Sequence, residues 1–308
     1  MSIIAFIFPG QGSQYAGMGK DLSDNFRIAA DTFAEADEAL GFHLSKLCYT
    51  GPEDELKLTM NTQPAILAAS VAALRVVSSE VELKPSYLAG HSLGEFSALV
   101  ASGALAFGDA LRTVRSRGKF MQEAVPVGVG AMAAILSVEQ EILAEICLEA
   151  AEGEVVAPAN FNSPGQIVIA GHAAAVNRAI EIAKGRGFRK AMLLPVSAPF
   201  HSALMLPAGE RLGEVLEKVD LSEMTIPVVT NVEALPNQDK ARIRELLVAQ
   251  VSAPVRWDDS VREMVRLGVS SFVEIGPGKV LSGLVKRIDK EVLTANVEDT
   301  AGVKRLQL

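Results

Sequence analysis

The sequence predicts an α/β fold: a larger domain built on a parallel sheet, with a smaller unit inserted into it. Short apolar runs of strand character alternate with longer segments of helical period, the pattern of parallel strands joined by helices. The runs end at Gly, Asn or Pro, where a chain can turn. The middle of the chain breaks this alternation and spells strand, helix, strand, strand, helix, strand in close succession.

Taken in order, residues 3–8 (Ile-Ile-Ala-Phe-Ile-Phe) form the first strand candidate. The run stops at Pro9 and has neither the basic start nor the small-residue cleavage site of a signal peptide, so a buried strand is expected. A helix over 63–78, a strand at 87–90 and a helix over 95–102 follow. The middle elements are 130–136, 139–151, 155–161, 166–170, 173–184 and 190–196, and their order is that of a ferredoxin-like unit. Pro126-Val127-Gly128 and Ser197-Ala198-Pro199 flank this unit as crossing points. The expected organisation is therefore a large α/β domain over 1–126 and 198–308, a ferredoxin-like subdomain over 127–197, and a cleft between them. Strands at 227–230 and 271–275 complete the larger sheet.

Composition narrows the function. With 49% apolar and 21% charged residues in 308, the chain can bury a sizeable core, which excludes disorder. Its formal charge of −8 repels phosphate backbones and anionic membranes, so no nucleic-acid or membrane partner is expected. Cys48 and Cys147 form no C-x-x-C pair and histidine is scarce, which argues against a disulfide framework or a zinc site and fits a reducing compartment. The most apolar stretch, 96–111, is interrupted by Ser97, Ser102, Gly103 and Asp109 and is too short to span a bilayer. A soluble, cytoplasmic protein is expected.

The sharpest motif is Gly90-His91-Ser92-Leu93-Gly94, a G-x-S-x-G between a predicted strand and a predicted helix. In that context a serine sits on a tight strand-to-helix turn, as in α/β-hydrolase-like domains, facing the positive end of the helix that follows. Such a nucleophile needs a base, and His43, His91, His172 and His201 are the candidates. His43 lies far from any motif, His172 ends a strand of the insert, and His91 points away from its neighbour Ser92; His201, in the Pro-containing link after the insert, remains. The segment Phe8-Pro9-Gly10-Gln11-Gly12-Ser13-Gln14 fails the dinucleotide fingerprint, because Tyr15 stands where a third glycine is needed. Glycines on both sides of Gln11 suit a backbone donor loop instead, which is what an oxyanion hole requires.

These segments, together with Asn61-Thr-Gln-Pro-Ala-Ile-Leu67, Ser197-Ala-Pro-Phe-His-Ser202, the Q-x-x-x-P-V-x-W beginning at Gln250 and Phe272-Val-Glu-Ile-Gly-Pro-Gly-Lys-Val-Leu281, occur in the order seen in the malonyl-CoA:acyl carrier protein transacylase family. The resemblance runs from Phe8 to about Leu284. It implies Ser92 as nucleophile and His201 as base, the N–H groups of Gln11 and Leu93 as oxyanion hole, and Arg117 as the grip on the malonyl carboxylate. It also implies that the main-chain carbonyl of Gln250 orients His201 in place of a triad acid, although Asp258 or Asp259 could serve as a conventional acid. Phe200 resembles the malonyl-type rather than the methylmalonyl-type pattern, its ring filling space that an extra methyl would need.

The implied reaction carries malonyl from malonyl-CoA through Ser92 to the phosphopantetheine thiol of an acidic acyl carrier protein, with no metal or redox cofactor. A serine thioesterase or acyl hydrolase with the same Ser–His pair is the alternative. Two basic clusters could dock the carrier: Lys184, Arg186, Arg189 and Lys190, or Lys279, Lys286, Arg287 and Lys290.

Overall fold

The computed structural model describes residues 3–196 and 198–307, so Ser197, the last residue of the expected insert, lies outside the described residues. The fold is mixed α/β with a largely parallel sheet. The strands are β1 (Ile3–Phe8), β2 (Tyr87–Gly90), β3 (Gly130–Leu136), β4 (Val156–Ser163), β5 (Gln166–His172), β6 (Ala191–Leu193), β7 (Val228–Val229), β8 (Pro236–Asn237), β9 (Val269–Ile275) and β10 (Leu293–Val297). Among the described residues the larger sheet runs β10-β9-β1-β2-β7-β8. All its pairs are parallel except β7 with β8. Strand β1 is central, which explains its uninterrupted apolar sequence: Ala5 through Phe8 are buried because both faces of the sheet are covered.

One face packs on the helix Thr59–Glu80, most of whose residues from Thr59 to Val77 are buried. A helix apolar on nearly every side belongs inside a protein rather than on its surface. The other face is closed by Trp257, Val261, Met264, Leu281 and Val285 from two C-terminal helices. A second sheet, β4-β5-β3-β6, is antiparallel throughout and carries the helices Gln140–Ala151 and Ala173–Gly185 over a core of its own. Its strand β4 is tied to the larger body by the bonds Phe161 N–H to Val255 carbonyl (2.9 Å) and Val255 N–H to Ala159 carbonyl (2.9 Å).

Several elements differ from expectation for local reasons. The strand expected over 190–196 is confined to Ala191–Leu193, with flanking bonds to β3 from Leu194 N–H to the Met132 carbonyl (2.9 Å) and from Leu136 N–H to the Lys190 carbonyl (3.0 Å), and it goes no further because Val196 N–H turns back onto the Leu194 carbonyl (2.9 Å). That expected over 227–230 is confined to Val228–Val229, as Thr230 already accepts a turn bond from Ala234. Strands β8 and β10 were not anticipated: β8 is two residues long, and the edge strand β10 (Leu-Thr-Ala-Asn-Val) is half-exposed and lacks an apolar run. Among the described residues no helix is long and apolar enough to cross a membrane.

Candidate active site

Ser92 stands where β2 turns into the helix Gly94–Ala101, with φ at 51°, a left-handed conformation that costs a non-glycine residue energy. The flanking glycines make the turn possible: a Cβ at Gly90 would lie 1.9 Å from the carbonyl carbon of Gly94, and one at Gly94 would lie 2.1 Å from the Phe8 carbonyl oxygen. Asn231, just after β7, locks the strained turn. Its Oδ1 accepts from Ser92 N–H (2.6 Å) and its Nδ2 donates to the Gly90 carbonyl (2.7 Å).

His201 comes from the link that leaves the insert and also has a positive φ, 58°. Its Nε2 lies 2.8 Å from Ser92 Oγ. Its Nδ1 lies 2.8 Å from the Gln250 carbonyl and 3.2 Å from that of Ala253. Carbonyls only accept, so Nδ1 carries the proton and Nε2 is left to accept from the Ser92 hydroxyl. Burial, and then the charge of Arg117, pull His201 down to about 3, so the ring is neutral at physiological pH. Asp258 is not the orienting acid, since it pairs with Arg262 at 2.7 Å, and Asp259 pairs with Arg256 at 2.9 Å.

Arg117, from the helix Phe107–Glu123, is 1% exposed. Its Nη1 donates to Gln63 Oε1 (2.8 Å), and its Nη2 donates to Gln250 Oε1 (2.9 Å) and to Ser92 Oγ (3.1 Å). Its Nε is buried and has no partner among the described residues. Burial lowers Arg117 to about 10, which leaves it charged at neutral pH. The structure thus brings a serine hydroxyl, a neutral imidazole and a buried guanidinium together at one oxygen atom.

These groups line one cleft of about 120 Å³ together with Gln11, Leu93, Met121, Asn160 and Phe200. Among the described residues the main-chain N–H groups of Gln11 and Leu93 have no protein acceptor, leaving both free for a ligand oxygen. His91 turns away from Ser92, its Nε2 lying 2.8 Å from Asn162 Oδ1. His43 is at the surface beside Asp37, and His172 Nδ1 accepts from Val155 N–H (2.9 Å). Reasoning from sequence did not single out Asn231, Glu95 or the side chain of Gln63. Gln63 stands inside a quoted motif and Glu95 directly follows one, but Asn231 sits in no motif that could have flagged it.

Two of the four charges of the first basic cluster are paired: Arg186 with Glu145 (3.3 Å) and Glu149 (2.5 Å), and Lys184 with Glu181 (2.9 Å). In the second, Lys286 donates to the Lys290 and Val292 carbonyls and Arg287 to Gln166, so the charges keep no acidic partner among the described residues.

The strained serine on its elbow and the neutral histidine define a class of acyl-transferring protein, and comparison agrees: the acyl transferase domain family matches residues 5–307, and the chain belongs to that family. Its relatives narrow the class. A malonyl CoA-acyl carrier protein transacylase of Bacillus subtilis (strain 168) is 51% identical over 97% of this chain and 94% of its own. The protein of the same description from Escherichia coli (strain K12) is 50% identical over the whole of both chains. The crystal structure of an acyl carrier protein S-malonyltransferase from Vibrio cholerae superposes with a TM-score of 0.97 at 47% identity, covering 99% of this chain and 100% of that one.

Proposed function

We propose that the chain is an acyltransferase that moves malonyl from malonyl-CoA to the phosphopantetheine thiol of acyl carrier protein, supplying malonyl-carrier protein for fatty acid or polyketide synthesis. The observation that carries this reading is the convergence of His201 Nε2 (2.8 Å) and Arg117 Nη2 (3.1 Å) on Ser92 Oγ. Ser92 Oγ attacks the thioester carbonyl while His201 Nε2 takes its proton, and the Gln11 and Leu93 N–H groups hold the oxyanion, each such donor contributing about 3 kcal/mol. The tetrahedral intermediate collapses, its C–S bond breaks, and the coenzyme A thiolate leaves with the proton from His201. In the second half His201 takes the proton of the carrier thiol, the sulfur attacks the malonyl-serine ester, and Ser92 recovers its proton as the C–O bond breaks.

Arg117 is the carboxylate grip because its planar fork suits two parallel bonds and it is held between Gln63 and Gln250 without being neutralised by either. Phe200, 7% exposed in the same cleft, limits substituents at the malonyl α-carbon. The finer architecture follows the same reading. The insert over 127–197 is ferredoxin-like, supported by its strand order, and the remainder over 1–126 and 198–308 is α/β-hydrolase-like in its serine elbow on a parallel sheet. A cytoplasmic location suits two buried free cysteines and a thioester substrate.

The test is intact-protein mass after brief mixing with malonyl-CoA, for the wild type and Ser92→Ala. A malonyl-sized gain in the wild type alone, discharged by adding carrier protein, is the expected result. A gain that decays in water and ignores carrier protein would instead mark a hydrolase.

A further inference from the structure

Glu95 is a buried titratable side chain that the mechanism above does not use, although it lies three residues from the nucleophile and is only 2% exposed. Its Oε2 accepts two hydrogen bonds, from Gln250 Nε2 (2.8 Å) and from Asn231 N–H (3.0 Å). Each donor belongs to a residue that itself holds a reacting group. Gln250 Nε2 also donates to the Ser92 carbonyl (3.0 Å), while Gln250 Oε1 accepts from Arg117 Nη2 (2.9 Å). Asn231 Oδ1 accepts from Ser92 N–H (2.6 Å).

An amide side chain can flip, exchanging its oxygen and its NH₂ at little intrinsic cost, and only its partners decide which end points where. In Gln250 the oxygen must face Arg117, because an NH₂ there would set donor against donor beside a buried guanidinium. Glu95, an acceptor at the other end, enforces that choice. Burying an acid is costly, and its persistence here needs a return. Burial raises the Glu95 carboxyl, while Gln250, Asn231 and the charge of Arg117 all pull it back toward the ionised form.

We propose that Glu95 is a positioning residue that fixes the Gln250 amide with its oxygen toward Arg117, and so aims the guanidinium at the acyl carboxylate. The inference rests on the malonyl-transfer reading. It places the effect of Glu95 on the discrimination between acyl groups with and without a carboxylate rather than on the Ser92–His201 pair.

The experiment compares kcat/KM for malonyl-CoA and acetyl-CoA in the wild type, Glu95→Met and Glu95→Gln, with thermal melts to verify folding. Methionine keeps the volume and removes the acceptor, and glutamine keeps one acceptor oxygen. Glu95→Met is expected to lower the malonyl-to-acetyl ratio at least tenfold, chiefly through the malonyl-CoA KM, and Glu95→Gln to restore most of that loss. An unchanged ratio in Glu95→Met, or an equal fall for both substrates, would overturn the proposal, as would a Glu95→Gln enzyme no better than Glu95→Met. Should Glu95→Met not fold, Glu95→Asp, which withdraws the carboxylate by one carbon, is expected to show the same fall in ratio, and a wild-type ratio there would overturn it. A wild type that transfers no malonyl would instead refute the function itself.

Discussion

At the scale of single residues, the site works because three costs are met locally. Ser92 and His201 both sit at positive φ, and Arg117 is buried almost completely. Each is held by partners that leave its reacting atom free: Asn231 on the Ser92 backbone, the Gln250 carbonyl on His201 Nδ1, and two glutamine oxygens on Arg117. Removing the guanidinium with Arg117→Ala should lower the malonyl-to-acetyl ratio by about 30-fold to several thousand-fold, the cost of leaving one partner of a desolvated charge pair alone. Steady-state kinetics with both thioesters reads this directly. His201 makes a separate, thermodynamic prediction. Its folded value of about 3 lies below the ordinary 6.5, so the unfolded chain binds the proton first as pH falls. The associated stability is present above pH 6.5 and is lost toward pH 3. Between pH 7 and pH 5 the wild type should lose about 2 kcal/mol more than His201→Gln in urea unfolding. The raised carboxyl of Glu95 acts in the opposite sense over part of this range, but it is common to both proteins and drops out of the difference.

At the scale of elements, the carboxylate grip proposed for Arg117 depends on how closely two helices approach. Gly118 of the helix Phe107–Glu123 faces the start of Thr59–Glu80, and a Cβ there would lie 2.6 Å from the Thr59 carbonyl oxygen and 2.8 Å from Met60 Cα. Both obstacles are backbone, so Gly118→Ala must push the helices apart, at about 1–3 kcal/mol. Because Arg117 is the preceding residue and Gln63 lies on the opposing helix, the same shift should raise the malonyl-CoA KM more than that for acetyl-CoA. A melt and two KM values test both halves. The sequence revealed elements that carry an apolar run or a helical period: β1 and β2 were legible as short apolar runs ended by turn residues, and the middle of the chain as strand and helix segments in turn. Strands β8 and β10 were not, since two residues carry no period and an edge strand with one exposed side needs no apolar run. For the same reason Ser92 could be read from its glycines, which sterics demand, and His201 by elimination. Asn231 and Glu95 act through side-chain bonds to residues more than a hundred positions away, which no local pattern records.

At the scale of the whole molecule, an acidic protein with charge −8 must receive an acidic carrier protein, so long-range attraction cannot guide the encounter and a local field must. The two basic clusters differ in how much field they project. In the first, Lys184 and Arg186 are answered by Glu181, Glu145 and Glu149, whereas in the second Lys286 and Arg287 spend their donors on uncharged oxygens. The second cluster also touches both bodies of the fold. Lys279 follows Gly278, where an added Cβ would touch Ser13 at 3.7 Å, on the loop that carries Gln11, and Arg287 reaches Gln166 at the start of β5 in the insert. A carrier docked on Lys279, Lys286 and Arg287 could therefore deliver its phosphopantetheine arm between the two bodies. Reversing Lys286 and Arg287 to Glu should raise the carrier-protein KM by about tenfold or more at low salt, with the gap narrowing as salt screens both proteins. Acylation of Ser92 by malonyl-CoA, followed by mass, should stay on the wild-type time course. Reversing Lys184 and Arg186 should change the carrier KM by less than about threefold, because exposed, already paired charges contribute little. The opposite ranking of the two double variants would move the docking surface to the insert.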